Sequence, residues 1–321
     1  MKKLFSSFAA VAMILGLNSC EHKELCYTHP HFSTIRVTFD WENISEEERP
    51  EGMRVMFFPP KGTGDCWIFD FPGGMGRAIE LPQNYYRVIS YNYDTEGIIW
   101  QNEKSYLDFR AETEDVEAPD GSRATLTPSM LIGDYKAMVN LADIPEDEER
   151  VVSLTPKKMV CHYTYEIHGV NSPEKISSIQ ASLSGMSGAL IMAGDRLPDG
   201  LSESLLFDGI ISKSEGVITG EFFTFGHTTL PEEANIFKLY LKYRSGKSYI
   251  ISNNVTKQVY AVPVTGHLGD VHITIYLENK LPPEPDIDDG GGDNEGGNTP
   301  PDSGFDVGAD DWSDVNTDII A

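Results

Sequence analysis

Short runs in which apolar and polar residues alternate, each cut off by proline or glycine, recur along this chain and restrict it to β architectures. Thr34 to Trp41 reads TIRVTFDW, and period-two alternation of this kind is the pattern of a half-buried strand. Met53 to Phe58 follows and is stopped by Pro59-Pro60; Cys66 to Phe71 is stopped by Pro72-Gly73-Gly74. Gly76 to Leu81 and Tyr85 to Tyr93 are separated by Pro82-Gln83-Asn84, and Ile98 to Trp100 and Tyr106 to Phe109 continue the series. Turn signals about every eight to twelve residues predict a sandwich or barrel.

The second half repeats the style. Lys158 to Gly169 predicts a long strand, while Ile176 to Leu183 fits a helical turn or a strand equally well. Ala189 to Ala193, Ser204 to Ser212, Gly216 to Phe225, Ile236 to Tyr243, Ser248 to Ile251 and Val271 to Leu277 complete the set, and Arg244 to Lys247 predicts a hairpin turn. Residues 111–124 read as a polar loop, 142–150 (ADIPEDEER) as a solvated acidic stretch, and 195–204 as a loop with a short helix. The expected fold class is all-β: two tandem sandwiches, residues 32–150 and 151–281, with the boundary at the acidic stretch.

From Pro282 the composition changes. Residues 282–304 are rich in Gly, Pro and Asp, which cannot build a core and predict a flexible acidic linker. Apolar residues then return in 305–321: Phe305, Val307, Trp312, Val315, Ile319 and Ile320. A solvated tail needs no tryptophan and no isoleucine pair, so these six residues are the candidate partner-binding segment. Random-coil scaling gives a linker of this length a reach of about 25 Å, comparable to a domain width, so the segment reaches its own second domain or a neighbouring subunit.

The other end carries an address. Met1-Lys2-Lys3 is followed by an apolar stretch from Leu4 to Leu17, then Asn18-Ser19-Cys20. Charged head, apolar centre and small residue form a signal peptide over residues 1–19, too short to span a bilayer at about 20 residues. Cys20, just behind it, is the expected lipid-attachment site: each buried methylene of an acyl chain contributes about 0.8 kcal/mol, and two or more chains hold a protein stably. Residues 20–31 are then a lipidated tether.

Charge excludes several partners. The formal net charge is −25, and removing residues 1–19, with two lysines and no acid, takes it to −27. Nucleic acid needs clustered positive charge, and an anionic membrane surface attracts polybasic segments. Neither fits, so the lipid must anchor the chain.

No cofactor, metal or catalytic site is predicted. His22, Cys26, His29 and His31 are ligand types without a partner at diagnostic spacing, and read better as an entry segment. Gly73-Gly74-Met75-Gly76 lacks the following helix of a phosphate cradle and reads as a hairpin turn. Leu183 to Gly188 lacks the Gly-x-Ser-x-Gly of a nucleophile elbow. His162, His168, His227, His267 and His272 suggest no triad. With Cys20 acylated, Cys26, Cys66 and Cys161 allow one disulfide at most; Cys66 and Cys161 sit in strand-like contexts, and a Cys26–Cys66 bridge stays open.

Ser19 to Lys23 (SCEHK), Leu25 to His31 (LCYTHPH), Val37 to Trp41 (VTFDW), Pro50 to Met53 and Tyr91 to Gly97 (YNYDTEG) resemble a lipoprotein family of Bacteroides-type bacteria. Tyr165 to Val170 (YEIHGV) and Leu183 to Met186 (LSGM) resemble the fimbrillin-anchor lipoproteins of the same bacteria. That resemblance implies two transthyretin-like sandwiches, an outer-membrane lipoprotein at or near the base of surface fimbriae, fimbrial subunits as partners, and no active site. Glu21, Lys23 and Glu24 resemble the signal that sends such lipoproteins to the cell surface. The expected function is a fimbria-associated anchor or assembly subunit that binds by β-strand addition. The alternative is a surface lipoprotein that binds a glycan for a polysaccharide-uptake system, marked by a flat strip of exposed Trp and Tyr.

Overall fold

Alternation along the first strand, β1 (Phe32–Phe39), buries Ile35 and Val37 completely and leaves Thr34 and Arg36 in solvent. The same period-two logic shapes β2 (Gly52–Phe58), β3 (Trp67–Pro72), β4 (Arg77–Pro82) and β5 (Tyr85–Asn92). Then come four short strands, β6 (Ile99–Gln101), β7 (Arg110–Glu112), β8 (Asp115–Glu117) and β9 (Arg123–Leu126), followed by β10 (Ile132–Asn140), β11 (Arg150–Leu154) and β12 (Lys157–Lys158). The computed structural model describes residues 31–142, 144–145, 149–228, 234–261, 269–277 and the backbone of 312–316.

The first sandwich packs a three-stranded sheet, β11–β1–β4, on a five-stranded one, β12–β10–β5–β2–β3. Val37, Val55, Phe57, Phe71, Val88 and Leu154 lie between them. Pro72 to Gly76 is a corner rather than a hairpin turn, because β3 and β4 belong to different sheets. Gly73 and Gly74 turn it with φ of +66° and +58°, a region that side chains disfavour. A Cβ on Gly74 would also lie 2.5 Å from the Trp41 ring.

The second half supplies β13 (Cys161–His168), β14 (Ile176–Met186), β15 (Ala189–Ile191), β16 (Glu203–Asp208), β17 (Ile210–Ser212) and β18 (Val217–Thr224). It continues with β19 (Ile236–Tyr243), β20 (Ser248–Asn254), β21 (Val271–Tyr276) and β22 (Trp312–Asn316). A four-stranded sheet, β17–β18–β13–β21, packs on a seven-stranded one, β22–β20–β19–β14–β16–β9–β8. Tyr163, Tyr165, Phe207, Phe222 and Phe237 fill the space between, with Phe207 stacked on Phe222 at 3.9 Å. The ambiguous segment from Ile176 is a strand, and Arg244 to Lys247 is the turn between antiparallel β19 and β20. Residues 195–202 form turns and irregular chain without a helix, and Glu203 and Ser204 open β16.

Two expectations fail for one physical reason: the partner is remote in sequence. Residues 111–124 are not a loop, since β8 and β9 extend the seven-stranded sheet, with β9 parallel to β16. The signal was missed because only Val116, Ala118 and Ala124 mark the buried face, against Leu206, Tyr240 and Ile250. Tyr106 to Phe109 is not a strand either; Tyr106 and Phe109 drop into a common core against Phe58.

Strand membership crosses the expected partition at residue 150. β11 and β12 complete the first sandwich, while β8 and β9 complete the second. Between the sandwiches, β6, β7 and β15 form a small sheet in the order β15–β7–β6. One apolar cluster spans the junction, from Phe58 and Tyr91 through Phe109 to Leu190, Met192 and Phe225. The fold is all-β.

Candidate functional site

The seven-stranded sheet is completed at both ends by segments distant in sequence. At one end β22 lies parallel to β20, in the register Ser248↔Trp312 to Ser252↔Asn316. Without it β20 would be an edge, because β19 holds its other side. An edge strand offers a row of unpaired N–H and C=O groups, which makes it a template for an added strand. The acceptor is well prepared: Ile250 and Ile251 are buried on opposite faces, so β20 is held rigid from both sides.

The other end is closed by β9 and β8, joined by the turn at 118–122. Lys238 Nζ pairs with Asp120 Oδ2 at 2.6 Å across this turn. Burial pushes the Asp120 carboxyl up, but the bonds from Lys238 and Ser122 outweigh it and hold the group below its ordinary value.

The four-stranded sheet is closed less completely. β16 leaves the seven-stranded sheet at Gly209 and enters the other sheet as β17. Only glycine fits the crossing, since a Cβ there would lie 2.7 Å from Tyr165 Oη. β17 pairs with Val217 to Thr219 alone. Gly220 to Thr224 of β18 therefore pair with β13 on one side and, among the described residues, with no strand on the other. β9 covers β16 only at Leu205 and Leu206. A cleft of about 920 Å³ follows this notch, lined by Leu126, Leu206, Asp208, Ile210, Gly220 and Glu221 and reaching Glu166 and His272 on the outer sheet face.

Polar chemistry on that face is a surface network. His162 Nε2 lies 3.0 Å from Glu221, and Glu166 lies between His168 Nε2 at 3.2 Å and His272 Nε2 at 3.7 Å. The bonds from His168 and His272 hold the Glu166 carboxyl below its usual range. His227 is buried against Tyr163, whose hydroxyl lies 3.2 Å from Nδ1. Burial drives the Tyr163 and Tyr165 phenols far above their ordinary value, so both remain neutral. Among the described residues no cluster of His, Cys, Asp or Glu is arranged to hold a metal ion.

The predicted residues divide accordingly. The backbones of Trp312 and Val315 lie in β22, opposite Ser248 and Ile251. Cys20, Cys26, Phe305, Val307, Ile319 and Ile320 lie outside the described residues. Cys161 is buried, its sulfur accepts the Gly269 N–H at 3.3 Å, and its thiol is pushed up to about 11 by that burial; Cys66 is half-buried. Among the described side chains, the most exposed tryptophan makes no flat platform: Trp67 meets Phe32 edge-on, at 84°. Sequence reasoning missed the β18 notch. Its one local signal is Gly209 at the crossing, which the alternation of Ser204 to Ser212 hides.

Similarity to other proteins agrees with this architecture. A "Putative fimbrium anchoring subunit Fim4B" from Bacteroides ovatus is 25% identical over 219 residues, covering 67% of this chain; the chain spans 63% of that relative's length. A Bacteroides ovatus structure solved as a "putative adhesin" superposes with a TM-score of 0.61 at 18% identity, over 83% of this chain and 99% of the other. A Bacteroides thetaiotaomicron structure solved under "putative polysaccharide binding proteins (DUF1812)" gives 0.51 at 10% identity, over 77% and 92%. Both likenesses are of fold. Among the described residues no helix is long and apolar enough to cross a membrane. The model of the domain of unknown function DUF5119 matches residues 19–208, more than half of the sequence, and the chain belongs to that family.

Proposed function

We propose that this protein is an outer-membrane lipoprotein, anchored through Cys20, that serves as a fimbria-associated anchor or assembly subunit and engages fimbrial subunits by β-strand addition. The role is structural, with no catalytic step. The observation that carries the reading is β22. A strand separated from β21 by residues 277–311 pairs along the edge of β20, so this sandwich takes an added strand at that edge. An edge that accepts Trp312–Asn316 from its own chain accepts a similar strand from a neighbour, and the same segment can be donated outward. The fimbrium-anchoring name of the Bacteroides ovatus relative supports the choice of partner.

The test uses native membranes. The full chain and a variant lacking residues 303–321 are each recovered with what accompanies them. Fimbrial subunits with the full chain and their loss from the variant support the reading; equal recovery removes the tail from it. Mass spectrometry of the processed N-terminus tests the anchor separately: an acylated Cys20 is expected, and a bare amino terminus would sink the membrane placement. An outer-membrane sugar importer in place of a fimbrial subunit would favour the glycan reading.

A further inference from the structure

The notch beside β18 differs in kind from the β20 edge: no strand among the described residues occupies it, and its charge is one-sided. Gly220 to Thr224 present backbone groups with no second strand partner among the described residues. The opposite wall is apolar, from Leu126 and Leu206 to Ile210, which is 75% exposed. The rim carries Glu166, Asp208 and Glu221, and no Lys or Arg lines the cleft. Thr127, Thr164 and Thr219 add hydroxyls.

A strand laid along β18 would send alternate side chains to opposite faces. One set would face the space between the sheets, where Phe207 and Phe222 lie; the other would lie beside Glu221 and Glu166. The charge also tells which strands do not fit. Residues 284–321 of this chain contain twelve acids and no Lys or Arg, so its own tail is repelled here.

The geometry points to a second docking site, in which the free edge of β18 takes an extended segment of another protein whose apolar residues alternate with Lys or Arg. This deepens the strand-addition reading and rests on it, but at a different edge, with a partner of defined sequence character. The glutamates select for basic side chains and set the salt dependence; the backbone edge supplies the hydrogen bonds. Glycine at 220 makes room for the Tyr165 ring on the neighbouring strand β13, since a Cβ there would lie 2.5 Å from the Tyr165 ring and hydroxyl.

The test uses the full chain and blocked nonapeptides in which valine alternates with lysine, valine with glutamate, or serine with lysine. Fluorescence anisotropy at low and high salt measures binding, and amide exchange locates it. The valine–lysine peptide is expected to bind, to slow exchange at Gly220 to Thr224, and to weaken about 10-fold in the double variant Glu166→Gln/Glu221→Gln. The other two peptides should bind far more weakly, and deletion of residues 303–321 should leave the affinity unchanged. Equal binding of the valine–glutamate peptide, protection confined to other strands, an unaffected double variant, or a dimer of this chain abolished by Glu221→Lys would each overturn the proposal. None of these results bears on the pairing at β20 or on acylation at Cys20, so the two readings fail separately.

Discussion

The two sandwiches solve the edge problem differently. In the first, β2 pairs with β3 and β5, and β1 with β4, all from the first 92 residues; β10 then returns to lie antiparallel to β5, with β12 on its outer side, and β11 to lie parallel to β1. In the second, the large sheet is finished by β8 and β9 from the first half of the chain and by β22 from its far end. A region that already depends on remote strands at both margins is the one suited to take strands from elsewhere. The notch beside β18 follows from the same economy, because a single run of chain serves two sheets and leaves part of each uncovered.

The contrast can be tested at the junction first. Phe109 touches Phe58 and Tyr91 from the first sandwich and stacks on Trp100 at 5.2 Å. Phe109→Ala should cost about 3–5 kcal/mol. If the shared core couples the sandwiches, calorimetry should show the wild type melting in one transition and the variant in two. Two transitions in the wild type would mean that the sandwiches are independent.

Gly220→Val sharpens the account of the notch. Overpacking at Tyr165 should destabilise by about 1–3 kcal/mol and break the 2.9 Å bond from the Tyr165 hydroxyl to the Asp208 carbonyl. Chemical denaturation measures the first effect, and the Tyr165 hydroxyl environment by NMR the second. A neutral outcome would show that the crossing at Gly209 tolerates a displaced tyrosine.

A smaller effect is expected at the 118–122 turn. The Asp120 carboxyl is held below its unfolded value, so its contribution is complete above about pH 4 and is lost as pH falls through the lower folded value. Asp120→Asn should therefore lower stability by about 1 kcal/mol at neutral pH and flatten the acid limb of the stability curve. An unchanged acid limb would remove the Asp120–Lys238 pair from the margin of the sheet.

The smallest change in global stability is expected from deletion of residues 303–321. The melting temperature should barely move, while amide exchange along Ser248 to Ser252 accelerates. Unchanged exchange there would mean that β22 adds nothing in solution.

Much of this architecture was readable from local pattern. TIRVTFDW predicted β1 because alternation at Ile35 and Val37 is set by burial on one face, and Arg244 to Lys247 predicted its turn for similarly local reasons. What escaped was non-local. Residues 111–124 carry too few apolar side chains to announce strands, and their burial exists only against Leu206, Tyr240 and Ile250. The returning apolar residues after 304 stand out in composition, and of that stretch Trp312 to Asn316 pair with β20. Composition does not give the direction of that pairing, and nothing in Ser204 to Ser212 tells that one run is shared by two sheets.

The place of β1 has a mechanical consequence. On the proposal that the chain is anchored through Cys20, a pull on the anchor enters the described fold at β1, which is bonded on both flanks, to β11 along Ile35–Phe39 and to β4 along Phe32–Val37. Tension drawn along that strand from a filament would load both rows of backbone bonds in shear, so that they resist together. A marginal strand pulled sideways would instead peel one bond at a time. The topology thus puts a strand bonded on both flanks where a pulling force from the proposed anchor would enter.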